Sequence, residues 1–251
     1  MKLAAIMTKD FRLYHGLVKE MKRAGIRYIT LDMGDNVPPY VGLVVTSREE
    51  YGMVDFQRKI WVEEPEIGVK KALAYLTGTE KCREIIIGVD PGKSPGIAVI
   101  CDGKVVEKTR ALSPESCLEI IRESMSCREY GRAIIRIGHG DLTNRNRTIT
   151  ALRALNIRME LVDESNTTRL TKNADEDAAV SIAFTEGTEI TKDYAIEPTE
   201  GELRDIQRRS RMESKGLLTI SKELARWVAI GSMSMEEAIE EQRRRNEEKK
   251  P

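Results

Sequence analysis

Apolar and polar residues succeed one another along the chain in three rhythms. Over the first eighty residues, short apolar runs alternate with amphipathic stretches. Leu3-Ala4-Ala5-Ile6-Met7 reads as a strand. In 11–24, Leu13, Leu17, Val18 and Met21 recur at helical spacing, and Gly25 supplies the left-handed residue that ends a helix. Residues 26–31, 42–46 and 60–62 follow as strands, and 65–76 as a closing helix with Ile67 and Leu73 in phase. This pattern predicts a small α/β domain over 1–80.

From residue 84 the rhythm changes. Ile85-Ile86-Ile87-Gly88-Val89 is almost wholly apolar, and 96–101 and 104–110 come next with Asp102-Gly103 between them, a strong hairpin signal. Ser113 as N-cap and Pro114 at the first helical position start a helix through Leu118, Ile120 and Ile121. Residues 133–137, 144–155, 157–162 and 173–184 then read as strand, helix, strand and helix. Asn173 and Glu176 form a capping-box-like pair at the last of these. Three strands before any helix, then alternation, predict a mixed sheet over 84–190. From Pro198 the chain turns helical and Arg-rich. Runs at 214–228 and 234–239 are separated by Gly231-Ser232, making a helical, helix-turn-helix-like region over 198–251. The charged stretch 240–251 is expected to fray.

Composition narrows the partners only a little. Lys plus Arg and Asp plus Glu both number 41, so net charge points to no polyanion and any basic surface has to be local. Cys82, Cys101, Cys117 and Cys127 include no C-x-x-C pair and no zinc or disulfide spacing. They are expected as reduced thiols of a cytoplasmic protein. No apolar run approaches the roughly 20 residues that span a bilayer, so a soluble, unexported chain without a membrane partner is expected.

Candidate chemistry gathers where elements end. Val89-Asp90-Pro91-Gly92 closes an apolar strand, the place where α/β sheets present ligands. Pro91 and Gly92 bend the backbone away from Asp90, and Gly92 and Gly96 leave room for a phosphate, although Asp-Pro-Gly also reads plainly as a turn. Asp163-Glu164 follows the strand at 157–162. Asp175, Glu176 and Asp177 open the helix at 173–184, where first-turn acids are favoured by the helix dipole. Asp177 borders Ala178-Ala179, a small face suited to close packing on a sheet, which makes it the better ligand. Carboxylates from separate elements can hold two hard cations such as Mg2+ or Mn2+, about 3.5–4 Å apart, for phosphodiester cleavage.

These residues carry a resemblance. Ile87-Gly88-Val89-Asp90-Pro91-Gly92, with Gly96-Ile97-Ala98-Val99, resembles the first hairpin of the RuvC Holliday-junction resolvases. Leu161-Val162-Asp163-Glu164-Ser165-Asn166-Thr167-Thr168 is similar to the aspartate-glutamate and paired-threonine motif of the related YqgF branch. Asp177-Ala178-Ala179 resembles the helix bearing that superfamily's last acid. Over about 84–187 the resemblance implies a ribonuclease-H-like mixed sheet and a two-metal Mg2+ or Mn2+ site hydrolysing phosphodiesters in structured DNA or RNA. It makes Asp90, Glu164 and Asp177 catalytic and adds Asp163 and Asp175 as metal ligands. Where RuvC-type resolvases carry a glutamate near the end of the fourth strand, this chain offers Asp141 or His139.

Two other functions compete. Some YqgF-related domains are noncatalytic scaffolds, which implies nucleic acid bound and not cut. A nucleotide-binding phosphotransferase of the actin-like superfamily also has an aspartate and glycines in its first hairpin, but its later Asp-x-Gly-x-(Ser/Thr) hairpin is not found. Lys93, Arg208, Arg209 and Arg211 are candidate nucleic-acid contacts. Glu200, Glu202, Asp205 and Glu213 dilute that basic face, so the C-terminal region reads equally as a solvated cap or as a contact in a homodimer. The N-terminal domain shows no glycine-rich phosphate loop.

Overall fold

A parallel sheet covered on both faces begins the chain. Strands β1 (Leu3–Ile6), β2 (Tyr28–Thr30), β3 (Val41–Thr46) and β4 (Lys59–Trp61) lie in the order β2-β1-β3-β4, every neighbouring pair parallel. The structure, a computed structural model, describes residues 2–163 and 176–248, with backbone alone at 176 and 177. Alternation along β1 and β3 sends Ala4, Ile6, Leu43 and Val45 to one face and Ala5, Met7 and Val44 to the other. On the first face pack α1 (Phe11–Arg23) and α2 (Pro65–Thr77). Asp10 starts α1 by accepting a hydrogen bond from the Leu13 N–H, and Gly25, at φ 67°, takes the left-handed turn out of it.

The second sheet is mixed and has six strands. β5 (Lys81–Asp90), β6 (Gly96–Cys101), β7 (Lys104–Arg110), β8 (Glu129–Gly138), β9 (Arg158–Val162) and β10 (Thr188–Glu189) are ordered β10-β9-β8-β5-β6-β7. Parallel neighbours need a crossover of about a dozen residues, so the short links between β5, β6 and β7 make these three an antiparallel meander. Helices α3 (Cys117–Ser126) and α4 (Leu142–Leu152) carry the chain to β8 and β9. Helix α5 (Glu176–Phe184) precedes β10, which pairs antiparallel with β9. Three helices end the chain, α6 (Glu200–Glu213), α7 (Lys222–Ala229) and α8 (Met235–Glu247), around a core of Leu203, Ile206, Ile220, Leu224, Ala225, Ala229 and Ala238.

By its internal contacts the chain divides into two compact units. Met1–Ile87, Val99–Glu107 and Glu119–Ile134 form one; Gly88–Ala98, Lys108–Leu118 and Ile135–Pro251 form the other. Within the second unit α5 lies backbone to backbone on the end of β5. A Cβ at Gly88 would stand 2.0 Å from the Ala179 carbonyl oxygen and 2.8 Å from both the nitrogen and the Cβ of Ala183. Arg136 fastens the same helix, donating from Nη1 to the Ala183 carbonyl (2.7 Å) and from Nε to buried Glu160 (3.0 Å).

Several expectations give way. Cys82 and Cys101 are joined in a disulfide, not held as thiols: they sit on neighbouring strands β5 and β6 with Cα atoms 5.5 Å apart, a proximity that their separation in sequence does not signal. Cys117 and Cys127 remain thiols, both buried, and burial pushes Cys117 up to about 12. Helix α3 starts at Cys117 because Ser113 and Ser116 hydrogen-bond each other reciprocally and close a separate turn first. The charged stretch after residue 240 does not fray at once. Arg245 bridges Glu241 one turn back (2.8 Å) and Glu223 of α7 (3.0 Å), and α8 runs on to Glu247.

Two outcomes are expected. Gly88→Ala should cost at least about 1–3 kcal/mol, since the obstructing atoms include helix backbone that no rotamer change can clear; an unchanged denaturation midpoint would contradict the packing. Without reductant, two thiols per chain should become alkylated on unfolding, and four after reduction.

Candidate functional site

The candidate site is built on the carboxyl end of β5. Gly88 and Val89 are buried, and Asp90, the strand's last residue, is half-buried. Helix α5 touches this strand at Gly88. Asp177 precedes the contacting Ala179 by two residues, so at a rise of about 1.5 Å per residue its backbone lies roughly 3 Å along the helix from the contact. Asp163 follows directly on β9 and is exposed. Glu164, Asp175 and the side chain of Asp177 lie outside the described residues, as do the paired threonines and the Asn173 cap. Among the described residues no three His, Cys, Asp or Glu side chains gather as a metal-holding group.

Next to β5, the end of β8 presents the fourth-strand candidates. Gly140 lies against Pro91, where a Cβ would come within 3.9 Å of the Pro91 oxygen. Asp141 is the N-cap of α4: Oδ1 accepts from the Asn144 N–H (3.1 Å) and Oδ2 from the Asn144 side-chain amide (2.6 Å). Its carboxylate serves the helix start. The side chain of His139 is exposed, while its carbonyl accepts from Arg145 Nη1 at 3.4 Å.

Helix α4 holds the residues that sequence reasoning missed. Thr143, Asn144, Arg145, Asn146 and Thr148 are all buried, although none is apolar. Each has a partner. Arg145 stacks over Tyr194 (5.2 Å) and bonds Asn146, which in turn donates to the Ala195 carbonyl; Arg147 forks onto Glu115 at 2.8 and 2.9 Å. Burial alone would raise the Glu115 carboxyl, but Arg147, together with hydrogen bonds from its own backbone N–H and from Ser113, holds it below the ordinary carboxylate value. The signal was available in Asn144-Arg145-Asn146-Arg147-Thr148, a helical stretch with no apolar face, which makes sense in a core only if polar partners meet it.

A cavity of about 1000 Å³ opens within the second unit. Lys93 and Ser94, from the loop after Asp90, line it together with the starts of α4, α6 and α8. Three polar contacts ring it. Lys93 pairs with Asp205 (3.0 Å), Thr143 donates to Glu202 (3.0 Å), and Gly231 packs so tightly on the Glu115–Arg147 pair that a Cβ would meet Glu115 Oε1 at 2.8 Å. Asp205 also accepts from Arg208 at 2.8 Å, and Arg208 and then Lys93 draw its carboxyl down to about 2. Of the other candidate contacts, Arg209 pairs with Glu213 (3.6 Å), and Arg211 is exposed in the last turn of α6.

Comparisons with known proteins bear on the ends of the chain. A response regulator receiver-like domain model matches residues 3–76, and a three helical bundle domain model matches residues 199–246. No curated protein matches. Among solved structures, the X-ray crystal structure of Marinitoga piezophila Argonaute with 5' OH guide RNA is similar at 10% identity and a TM-score of 0.25, over 68% of this chain and 41% of that one. The same Argonaute with 5' OH guide RNA and target DNA gives 11% identity and a TM-score of 0.25, over 95% of this chain and 54% of that one. The chain thus spans only about half of those proteins, and a likeness this slight carries no argument about function. Among the described residues no helix is long and apolar enough to cross a membrane.

The Asp205 cluster predicts a pH response. A depressed carboxyl contributes stability above its unfolded value and loses it as pH falls through the folded one, so this contribution should begin to fall below about pH 4, with the pairs to Lys93 and Arg208 half lost near pH 2. Carboxyl-detected NMR should place the Asp205 midpoint near 2, and Lys93→Ala should raise it. A midpoint at the ordinary aspartate value would mean that the pairs do not form in solution.

Proposed function

We propose that the chain is a metal-dependent nuclease of RuvC/YqgF type that hydrolyses phosphodiester bonds in structured DNA or RNA. The observation that supports this best is the contact at Gly88, which packs the helix of Asp177 directly against the strand of Asp90. Such an approach needs small residues on both sides, and the chain supplies Gly88, Ala179 and Ala183.

Every carboxylate in the proposed set is a hard oxygen donor, which suits Mg2+ or Mn2+ and not a soft ion. Asp90, Glu164 and Asp177 would hold the ions as the catalytic acids, with Asp163 and Asp175 completing the set. When bound there, two such ions supply a nucleophile at neutral pH and stabilise the attacking and leaving oxygens. A Cβ at Gly92, in the turn after Asp90, would meet nothing within 4 Å. Of the fourth-strand candidates, His139 is favoured, because both oxygens of Asp141 already accept hydrogen bonds.

The use of Asp141 as a cap also favours a second reading, a scaffold of the same fold that binds nucleic acid without cutting it. A cleavage screen decides between them. Branched DNA, RNA/DNA hybrids and single strands are incubated with Mn2+ or Mg2+, and at least one should be cut by the wild type and cut about a hundred-fold more slowly or worse by Asp90→Asn. Binding without cleavage by the wild type would leave the scaffold, and equal rates in the variant would remove Asp90 from the chemistry.

A further inference from the structure

We infer that the cavity beside the Asp90 loop takes a single strand of nucleic acid, and that the Asp205 carboxylate occupies the place of one of its phosphates on Lys93 and Arg208. The inference rests on the nucleic-acid reading above and specifies which part of the substrate enters and how. Lys93 lies three residues beyond Asp90 and lines the cavity, so one wall of the cavity is the loop that follows the candidate acid. At about 1000 Å³ the space is at the upper end of ordinary ligand sites. That admits a few atoms of backbone with a base or two, and excludes a duplex.

The lining carries both charges and apolar surface. Lys93, Arg147 and Arg209 stand beside Glu115, Glu202, Asp205 and Glu237, with Arg147 held by Glu115 and Lys93 by Asp205, while Leu112, Met233 and Met235 are apolar and Leu112 is 90% exposed. The helices α6–α8 have an apolar core of their own, and the contacts described around the cavity are polar. Asp205 makes the two contacts that two phosphate oxygens would make, one oxygen on Lys93 Nζ at 3.0 Å and the other on Arg208 Nη2 at 2.8 Å. Both pairs are exposed to solvent and screened by salt, so exchanging the carboxylate for a phosphate is a near-balanced ion exchange. Asp205 therefore keeps the cations in position and sets a threshold for entry.

The test reads binding alone. Full-length wild type, Asp205→Asn, Lys93→Gln with Asp205→Asn, and Glu129→Gln are titrated into a labelled single-stranded oligonucleotide in EDTA over a range of salt. Glu129→Gln is the charge-matched control, because it releases Lys81 from an exposed pair elsewhere. Each freed cation that meets a phosphate adds about 0.7 to the salt slope for single strands, so Asp205→Asn should bind about five-fold or more tightly near 0.1 M salt, with a steeper slope. Removing Lys93 as well should cancel most of that gain. Unchanged or weaker binding by Asp205→Asn, a gain that survives loss of Lys93, an equal gain in Glu129→Gln, or no binding by any form would each overturn the inference. Because no metal is present, failure of the nuclease reading appears separately, as wild-type protein that binds strands in this assay yet cuts none in the screen with Mn2+ or Mg2+.

Discussion

At Gly88 a carbonyl oxygen of helix α5 takes up the volume that any side chain would need. A helix axis normally stands off a sheet by the depth of a side-chain layer, and here that layer is absent at one point. The consequence is positional. Asp90 ends the strand two residues later, and the helix that carries Asp177 has its height above the sheet set by backbone contact and not by deformable side chains. Arg136 adds a second fixed point by tying the Ala183 carbonyl to Glu160.

Around this contact the second unit uses buried polar groups where an ordinary core would use apolar ones. Arg136 and Glu160 are both buried, and so are Thr143, Asn144, Arg145, Asn146 and Thr148 of α4. Such groups add little net stability compared with a well-packed apolar core, and losing one partner leaves the other uncompensated. What they contribute is direction. Asp141 fixes where α4 begins, Asn146 fixes the Ala195 carbonyl, and Arg147 with Glu115 fixes the turn before α3, on which Gly231 then rests.

The basic residues of α6 show how local charge hides inside a neutral total. Lys93 and Arg208 share Asp205, and Arg209 leans on Glu213, so the face that looked diluted in composition is diluted by particular pairs. These pairs are exposed and weak.

Much of the fold was legible in order and type of element, because alternation and helical spacing are local properties that packing then reinforces. The 3–78 elements, the β5–β6–β7 meander and the turn at Asp102-Gly103 follow from neighbours in sequence. Strand β10, two residues without an apolar rhythm, was not legible, since it exists by pairing with β9. The same holds for the Cys82–Cys101 disulfide and for the length of α8, which depend on a neighbouring strand and on Glu223 of another helix. In the candidate site, the sequence by itself put Asp90 at a strand end and a small-residue face after Asp177, because a turn and a spacing are written in consecutive residues. That Asp141 is spent on a helix cap, that Arg147 is held by Glu115, and that Lys93 meets Asp205 across 112 positions were decided by the folded chain alone. Hydrogen bonds and ion pairs act over a few ångströms in space, and only folding determines which distant residues come that close.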